Sequence, residues 1–243
     1  MRARCPRCAL LMAQCVCALV APIDNRTPVR VLQDPRESKH ALNTARWVAL
    51  GLRHAEIVSR PTFAPQDWTI PGRQSLLLYP ADADDPAAAD ADATAAALRA
   101  PDDAAYLAPP SASKDASTPN YDAPIDAAQP ASVPLTLVVL DGTWKHAAGI
   151  LRNHPALLAL PRFGLAPAAV SAYRLRKSPR MDGLATVEAV AAALDLIDAP
   201  QNHAAMLRPF RAHVDAQIRA QLVAMGETVF RRHYPDVDIE NMA

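Results

Sequence analysis

Glycine is scarce in this chain, 7 of 243 residues, and aromatic side chains make up only 5% of it. No Gly-x-Gly-x-x-Gly run and no Walker loop occurs, so the two familiar glycine-built phosphate cradles are excluded. His-Glu-x-x-His is missing too, which removes a helix-borne metalloprotease site. No cysteine follows Cys17, so the body of the chain holds no disulfide framework. Beyond the N-terminal segment there is no run of 18 uncharged apolar residues, and no membrane-spanning helix is predicted. No internal repeat is visible. The hydrophobic share of 51% overstates the core, because much of it is alanine.

What is present falls into unequal parts. The formal net charge is zero, but that total is an average. Residues 81–132 contain 20 Ala, 10 Asp and 7 Pro, with Arg99 and Lys114 their only basic side chains. Such a stretch has little to bury and carries about −8, so it is predicted to be a disordered insert. Setting its 2 basic and 10 acidic residues aside leaves 23 Lys+Arg against 15 Asp+Glu, a net +8 on the remaining chain. A basic body of this kind suits a nucleic-acid partner.

The four cysteines, Cys5, Cys8, Cys15 and Cys17, form a C-x2-C-x6-C-x-C cluster. Thiolates this close can converge on one tetrahedral Zn²⁺ and order a segment too short to fold alone. A disulfide framework is a poor alternative for four cysteines crowded into thirteen residues of a large chain. A signal peptide is the stronger rival, with Arg2, Arg4 and Arg7 ahead of an apolar run from Ala9 to Ala21. Gln14 and the Cys-x-Cys pair inside that run count against it.

Further along, Val29 to Gln33, Ala55 to Ser59 and Ser75 to Tyr79 read as strands. A Pro35-Arg36-Glu37 turn follows the first, then a helical pattern holding Asn43, Thr44 and Arg46, residues that a purely structural helix would avoid. Leu135-Thr136-Leu137-Val138-Val139-Leu140 reads as a strand buried on both faces, as in a parallel sheet. It runs abruptly into Asp141-Gly142-Thr143-Trp144, and a helix begins at Lys145. Ligands of open α/β sheets bind just beyond the carboxyl ends of strands, where this polar turn lies. A plainer reading has Asp141 or Thr143 capping the helix and Trp144 in the core. Ser171-Ala172-Tyr173-Arg174-Leu175-Arg176-Lys177 alternates, placing Tyr173 and Leu175 opposite Arg174 and Arg176 if extended. Its basic residues suit a carboxylate or phosphate, and a solvated strand edge is the alternative. Leu184 to Ile197 is a helix with Thr186 as its expected N-cap, and a last long helix runs from about Met206 to Met225. Its buried stripe is Leu207, Phe210, Val214, Ile218 and Leu222. Arg208, Arg211, His213 and Arg219 lie largely off that stripe, leaving a basic outer face.

Taken in order, these pieces resemble the DTW-domain tRNA-uridine aminocarboxypropyltransferases. Asp141-Gly142-Thr143-Trp144 fits the D-x-T-W signature. The cysteine cluster, Pro35-Arg36-Glu37 with Asn43-Thr44, and Leu78-Tyr79-Pro80 also match. So do Leu160-Pro161, Ser171-x-Tyr173-x-Leu175-Arg176 and Thr186-x-Glu188-Ala189, and the long acidic insert is the one departure. The resemblance implies a SPOUT-like α/β fold, a largely parallel sheet with a C-terminal knot. It divides the chain into a four-cysteine zinc element over residues 1–25 and a catalytic domain over residues 26–243. It implies transfer of the 3-amino-3-carboxypropyl group of S-adenosylmethionine to a tRNA uridine, in bacterial members in the variable loop. It also favours zinc over secretion at the N-terminus, and hence a cytoplasmic protein with no obligatory protein partner.

For that chemistry the catalytic candidates are Asp141, as acceptor of the uridine N3 proton, with Thr143 and Trp144. The cofactor pocket is expected to draw on Tyr79, Pro80, Leu140, Asp141, Leu160, Ser171, Tyr173, Arg174, Arg176 and Thr186. Arg174 or Arg176 is the candidate for the carboxylate of the amino-acid tail. The RNA-facing set is Arg36, Asn43, Lys145, Lys177 and Arg211. Two other functions fit parts of the pattern: a SPOUT-type RNA methyltransferase, and a zinc-ribbon RNA-binding protein without catalysis.

Overall fold

The computed structural model describes residues 3–38, 40, 43–79, 133–165, 171–175 and 183–239. The insert expected at 81–132 therefore lies outside the described residues, as do Pro80, Arg176 and Lys177. Five strands form one sheet among the described residues: β1 (Val29–Gln33), β2 (Ala55–Ser59), β3 (Gln74–Leu78), β4 (Leu135–Asp141) and β5 (Arg162–Phe163). Their spatial order is β2-β1-β4-β3-β5, and every neighbouring pair is parallel. Among the described residues the α-helices are α1 (Pro35–Ser38), α2 (Ala45–Gly51), α3 (Trp144–Asn153), α4 (Thr186–Ile197), α5 (Leu207–Met225) and α6 (Glu227–His233). None is long and apolar enough to cross a membrane.

β4 is the central strand, and its composition explains why. Leu137 and Val139 point to one face and Val138 and Leu140 to the other, because side chains alternate along a strand. The first face carries Val29, Val31, Trp47, Val190, Leu194, Phe210 and Ile218, together with Cys5, Cys8, Leu10 and Cys17. The second carries Leu32, Val58, Leu77, Ala148, Leu151 and Leu157. Helices thus cover both faces, and a strand buried on both sides needs the continuous aliphatic run seen at 137–140. Each fully buried Leu or Val contributes about 1.5–3 kcal/mol, so this strand anchors the core.

The cysteine segment is seated on the first core, with Leu10 only 2% exposed. Its backbone is closed by a Cys5 N–H bond to the Leu10 carbonyl and by an Arg4–Leu11 bridge. α5 follows its expected stripe, with Phe210, Val214 and Ile218 buried and Leu207 and Leu222 partly so. Gly226, at φ +77°, ends α5 and separates it from α6, which begins at the next residue. Two expectations change. The N-cap of α4 is Ala185, not Thr186: the Glu188 carboxylate accepts the Ala185 N–H at 2.8 Å, which frees the Thr186 hydroxyl. Residues 171–175 form a turn rather than a strand, although Tyr173 and Leu175 still point inward.

The order of the strands positions the site. From β1 the chain crosses to β2 on one side, and from β4 it passes by α3 to β5 on the other. The crevice of a doubly wound sheet opens where two neighbouring strands send their connections in opposite directions. Here that point is the adjacent carboxyl ends of β1 and β4, where Gln33 and Asp141 lie in register.

Candidate active site

Asp141 ends β4 at this switch point and is 2% exposed. Its Oδ2 accepts from Gln33 Nε2 at 2.8 Å and from Asn43 Nδ2 at 2.7 Å, and its Oδ1 accepts from the Thr186 hydroxyl at 2.7 Å. Three segments far apart in sequence therefore meet on one carboxylate: the end of β1, the loop before α2 and the first turn of α4. A buried carboxylate is tolerated only when its lone pairs are filled in this way. Asp141 is placed to hold the crevice together, with its acceptor sites turned into the protein.

Gly142 comes next, at φ +139°. A Cβ here would stand 2.9 Å from His146 Cβ, 3.4 Å from His146 Nδ1 and 3.5 Å from Glu37 Cγ. Both its conformation and this close approach require glycine. Thr143 is the N-cap of α3, its hydroxyl accepting the His146 N–H at 3.3 Å. Its side chain is exposed and the capping reading is the one observed. Trp144 is half-buried and meets Tyr79 edge-on, ring centroids 5.9 Å apart at 65°, forming an aromatic wall beside the crevice. Leu140 and Leu160 pack behind that wall, partly buried on the second face.

The turn after β1 faces this motif. Arg36 closes back on Asp34, its Nη2 2.7 Å from Asp34 Oδ2, and these bonds hold the Asp34 carboxyl down at about 2. Glu37 reaches the opposite way: its Oε1 lies 2.7 Å from His146 Nδ1, with the His146 side chain 33% and the Glu37 side chain 18% exposed.

Several expected contacts are used otherwise. Ser171 donates to Glu188 Oε2 at 2.5 Å, and the Ala172 N–H meets Glu188 Oε1 at 2.7 Å, so the serine fastens its loop to the start of α4. Tyr173 is buried edge-on against Phe210, centroids 5.8 Å apart. Arg174 is ion-paired with the buried Asp215 of α5 and donates to the Asp238 carbonyl, so it is not a free cation awaiting a substrate carboxylate. Asn43 is 7% exposed, with Nδ2 on Asp141 and Oδ1 accepting from the Arg46 N–H at 3.3 Å, so it faces inward and does not lie on an RNA-facing surface. Lys145 and Arg211 are exposed, as is Arg36 beside its Asp34 partner.

At the N-terminal element the four cysteine sulfurs lie within 4.8 Å of one another. Cys5 Sγ and Cys17 Sγ are 3.8 Å apart, and Cys8 Sγ and Cys15 Sγ 3.9 Å. Four thiolates about 2.3 Å from a tetrahedral Zn²⁺ stand nearly 3.8 Å from one another, so this donor set fits the metal. The Cys8 and Arg7 backbone amides, with help from Cys15, draw the Cys5 thiol down to about 6, whereas burial pushes Cys8 and Cys17 up. A bound cation would offset that burial cost. Arg46 ties the element to the crevice: its guanidinium donates to the carbonyls of Cys8 at 2.7 Å, His40 at 2.7 Å and Asn43 at 2.9 Å.

The sequence alone points neither to Gln33 nor to the pairing of His146 with Glu37. His146 sits on the first turn of the helix opened by Thr143, in line with a glutamate on the turn after the facing strand. That pairing is the available signal, but only the β1–β4 register shows that the two meet.

A parallel sheet with this motif at its switch point makes the molecule an α/β protein of the open, doubly wound kind. The DTW domain model matches residues 2–218, and the chain belongs to the DTW-domain family. It is 26% identical over 219 residues to tRNA-uridine aminocarboxypropyltransferase 2 of Drosophila melanogaster, covering 86% of this chain and 72% of the fly protein. No solved structure matches the chain significantly.

Proposed function

We propose that this protein is a tRNA-uridine aminocarboxypropyltransferase. It moves the 3-amino-3-carboxypropyl group of S-adenosylmethionine to N3 of a tRNA uridine and releases methylthioadenosine. The observation that carries the reading is the Asp-Gly-Thr-Trp motif at the sheet's switch point in a chain of the DTW-domain family. The likeness to the fly aminocarboxypropyltransferase and the net +8 outside the insert support it. So does the chemistry. A sulfonium donor has three carbons open to attack, and selecting one is a matter of orientation, for which well-placed reactants gain about 7–11 kcal/mol. Four side chains locking one carboxyl junction supply the rigid frame that such selection needs.

In this reading the uracil or adenine stacks on the wall of Trp144 and Tyr79, with Leu140 and Leu160 lining it, and Pro80 is assigned to the cofactor from the family motif alone. Asp141, Thr186 and Ser171 shape the loops around the donor, and Tyr173 supports them from the core. With Arg174 engaged by Asp215, Arg176 is the residue assigned to the amino-acid carboxylate. Arg36, Lys145, Lys177 and Arg211 serve the tRNA backbone. The larger frame is SPOUT-like with a C-terminal knot, residues 26–243 forming the catalytic domain behind the cysteine element of residues 1–25. Cys5, Cys8, Cys15 and Cys17 hold a structural zinc, which would fix the element against Arg46. We place the protein in the cytoplasm, with tRNA as its partner.

Nucleoside mass analysis of tRNA incubated with the protein and S-adenosylmethionine tests this directly. The expected products are aminocarboxypropyluridine and methylthioadenosine in equal amounts. S-adenosylhomocysteine with a methylated nucleoside would establish a methyltransferase instead. Absence of S-adenosylmethionine binding by calorimetry would favour a non-catalytic RNA-binding protein.

A further inference from the structure

We propose that His146, oriented by Glu37, is the base that takes the uridine proton, a role that rests on the transfer reaction proposed above. Four observations converge on this imidazole. Glu37 Oε1 stands 2.7 Å from Nδ1 as a charge contact off the hydrogen-bonding direction, at a nitrogen closed off from solvent, while the side chain as a whole keeps 33% of its surface exposed. Nε2 has no hydrogen-bond partner among the described residues, so it is the nitrogen left for a substrate. Gly142 leaves bare the space beside the imidazole and the Glu37 stem, with His146 Nδ1 3.4 Å and Glu37 Cγ 3.5 Å from where a Cβ would be. Thr143 pins the His146 backbone by accepting its N–H. Two residues of the signature thus act on the same side chain.

The alternative acceptor, Asp141, has three donors on its two oxygens and is 2% exposed. It would have to surrender a buried partner to reach a proton. His146 need surrender none. An imidazolium at the positive end of a ten-residue helix is unfavourable on its own, and the adjacent Glu37 carboxylate offsets that charge. A carboxylate lies against one ring nitrogen and the other is left for a reacting proton, so the carboxylate's charge favours the imidazolium that proton transfer creates.

The step balances without a further reactant. The N3–H proton passes to Nε2. The nitrogen electron pair forms the bond to the γ-carbon of the donor's aminocarboxypropyl group. The carbon–sulfur bond breaks with its pair moving to sulfur, and the sulfonium becomes the neutral thioether of methylthioadenosine. His146 is the catalytic residue here, and Glu37 is a positioning residue.

The test is steady-state and single-turnover transfer by the full-length protein, comparing wild type, His146→Ala and Glu37→Gln, with added imidazole. General-base removal typically costs about 10²–10⁴-fold in kcat. His146→Ala should lose that much, keep KM for tRNA and for S-adenosylmethionine within about twofold, and recover part of the rate with imidazole. Glu37→Gln should lose about tenfold in kcat or more, with no imidazole response, since its ring is still present. A His146→Ala protein within about threefold of the wild-type kcat overturns the assignment. So does a loss carried in KM and unmoved by imidazole, which would mark a structural role. If the wild type itself forms no aminocarboxypropyluridine, the transfer reading falls and takes this base with it. A transferring wild type with an active His146→Ala protein removes only the base.

Discussion

Asp141 and His146 lie five positions apart, on either side of the same turn, and are built to opposite rules. Asp141 is buried, filled with three hydrogen bonds and joined to segments 108, 98 and 45 residues away in sequence. His146 is half-exposed, with one neighbour at its inner nitrogen and the outer one unclaimed. The first is what a structural carboxylate needs, since each empty lone pair in a dry interior is costly. The second is what a reacting group needs, since a proton acceptor must reach its substrate. The most recognisable residue of a sequence signature is therefore not the most available one. Asp141 assembles the crevice in which its neighbour works.

The sharpest way to break this contrast is Asp141→Ala. It would leave the Gln33, Asn43 and Thr186 donors unsatisfied around a cavity, at about 1–3 kcal/mol for each buried donor left without a partner. Thermal or urea unfolding should show that loss, while His146→Ala stays within about 0.5 kcal/mol, as half-exposed substitutions do. Equal losses for the two variants would erase the distinction drawn between them.

The next effect reaches the same junction from the other side. If the four cysteines hold the proposed zinc, Cys8→Ser should lower metal content from about one Zn²⁺ per chain to none, and should release Leu10 and its neighbours from the core for about 3 kcal/mol. Because the Cys8 carbonyl holds Arg46, and Arg46 holds the Asn43 carbonyl, amide exchange should also quicken around residues 43–46. Faster exchange confined to residues 3–20 would show that the element and the crevice are independent. Gly142→Ala is a smaller perturbation. A side chain at φ +139° that also meets His146 costs about 1–2 kcal/mol. It should lower transfer more than stability, by displacing the imidazole rather than the carboxylate junction. Unchanged activity in the Gly142→Ala protein would detach Gly142 from His146.

Much of the frame is legible in the residues themselves. The aliphatic run at 135–140 reads as a strand covered on both faces and is found so, with the polar turn after it at the sheet's switch point, although the residues alone leave open whether that turn merely caps a helix. The alternation at Tyr173 and Leu175 places both inside even though the segment is a turn. Pairings across the fold are a different matter. Periodicity says which way Arg174 points but not that Asp215, 41 residues on, waits there to neutralise it. Asn43 reads as a surface polar residue because its partner lies 98 residues away, and Thr186 as a cap because nothing nearby shows that Glu188 already fills that task. His146 escapes notice for the same reason: only the register of β1 against β4 brings Glu37 to it.

The least effect is expected at the rim, where β1 and β4 offer a second comparison. Asp34 lies one residue past β1 as Asp141 lies at the end of β4, yet among the described residues Asp34 is ion-paired only with Arg36, whose side chain is 79% exposed. Its carboxyl is held at about 2, chiefly by the Arg36 hydrogen bonds, below the ordinary carboxylate value near 4. A lowered folded-state value means the unfolded chain binds the proton more readily. The pair's contribution is therefore present above about pH 4 and is lost as pH falls from about 4 toward 2. Solvent screening of so exposed a partner limits that contribution to under about 1 kcal/mol. Arg36→Ala should flatten the acid limb of stability by that amount between pH 4 and pH 2, and salt should shrink the difference. An Arg36→Ala loss rivalling that of Asp141→Ala at neutral pH would mean that the turn after β1 is as much a part of the buried junction as β4 is.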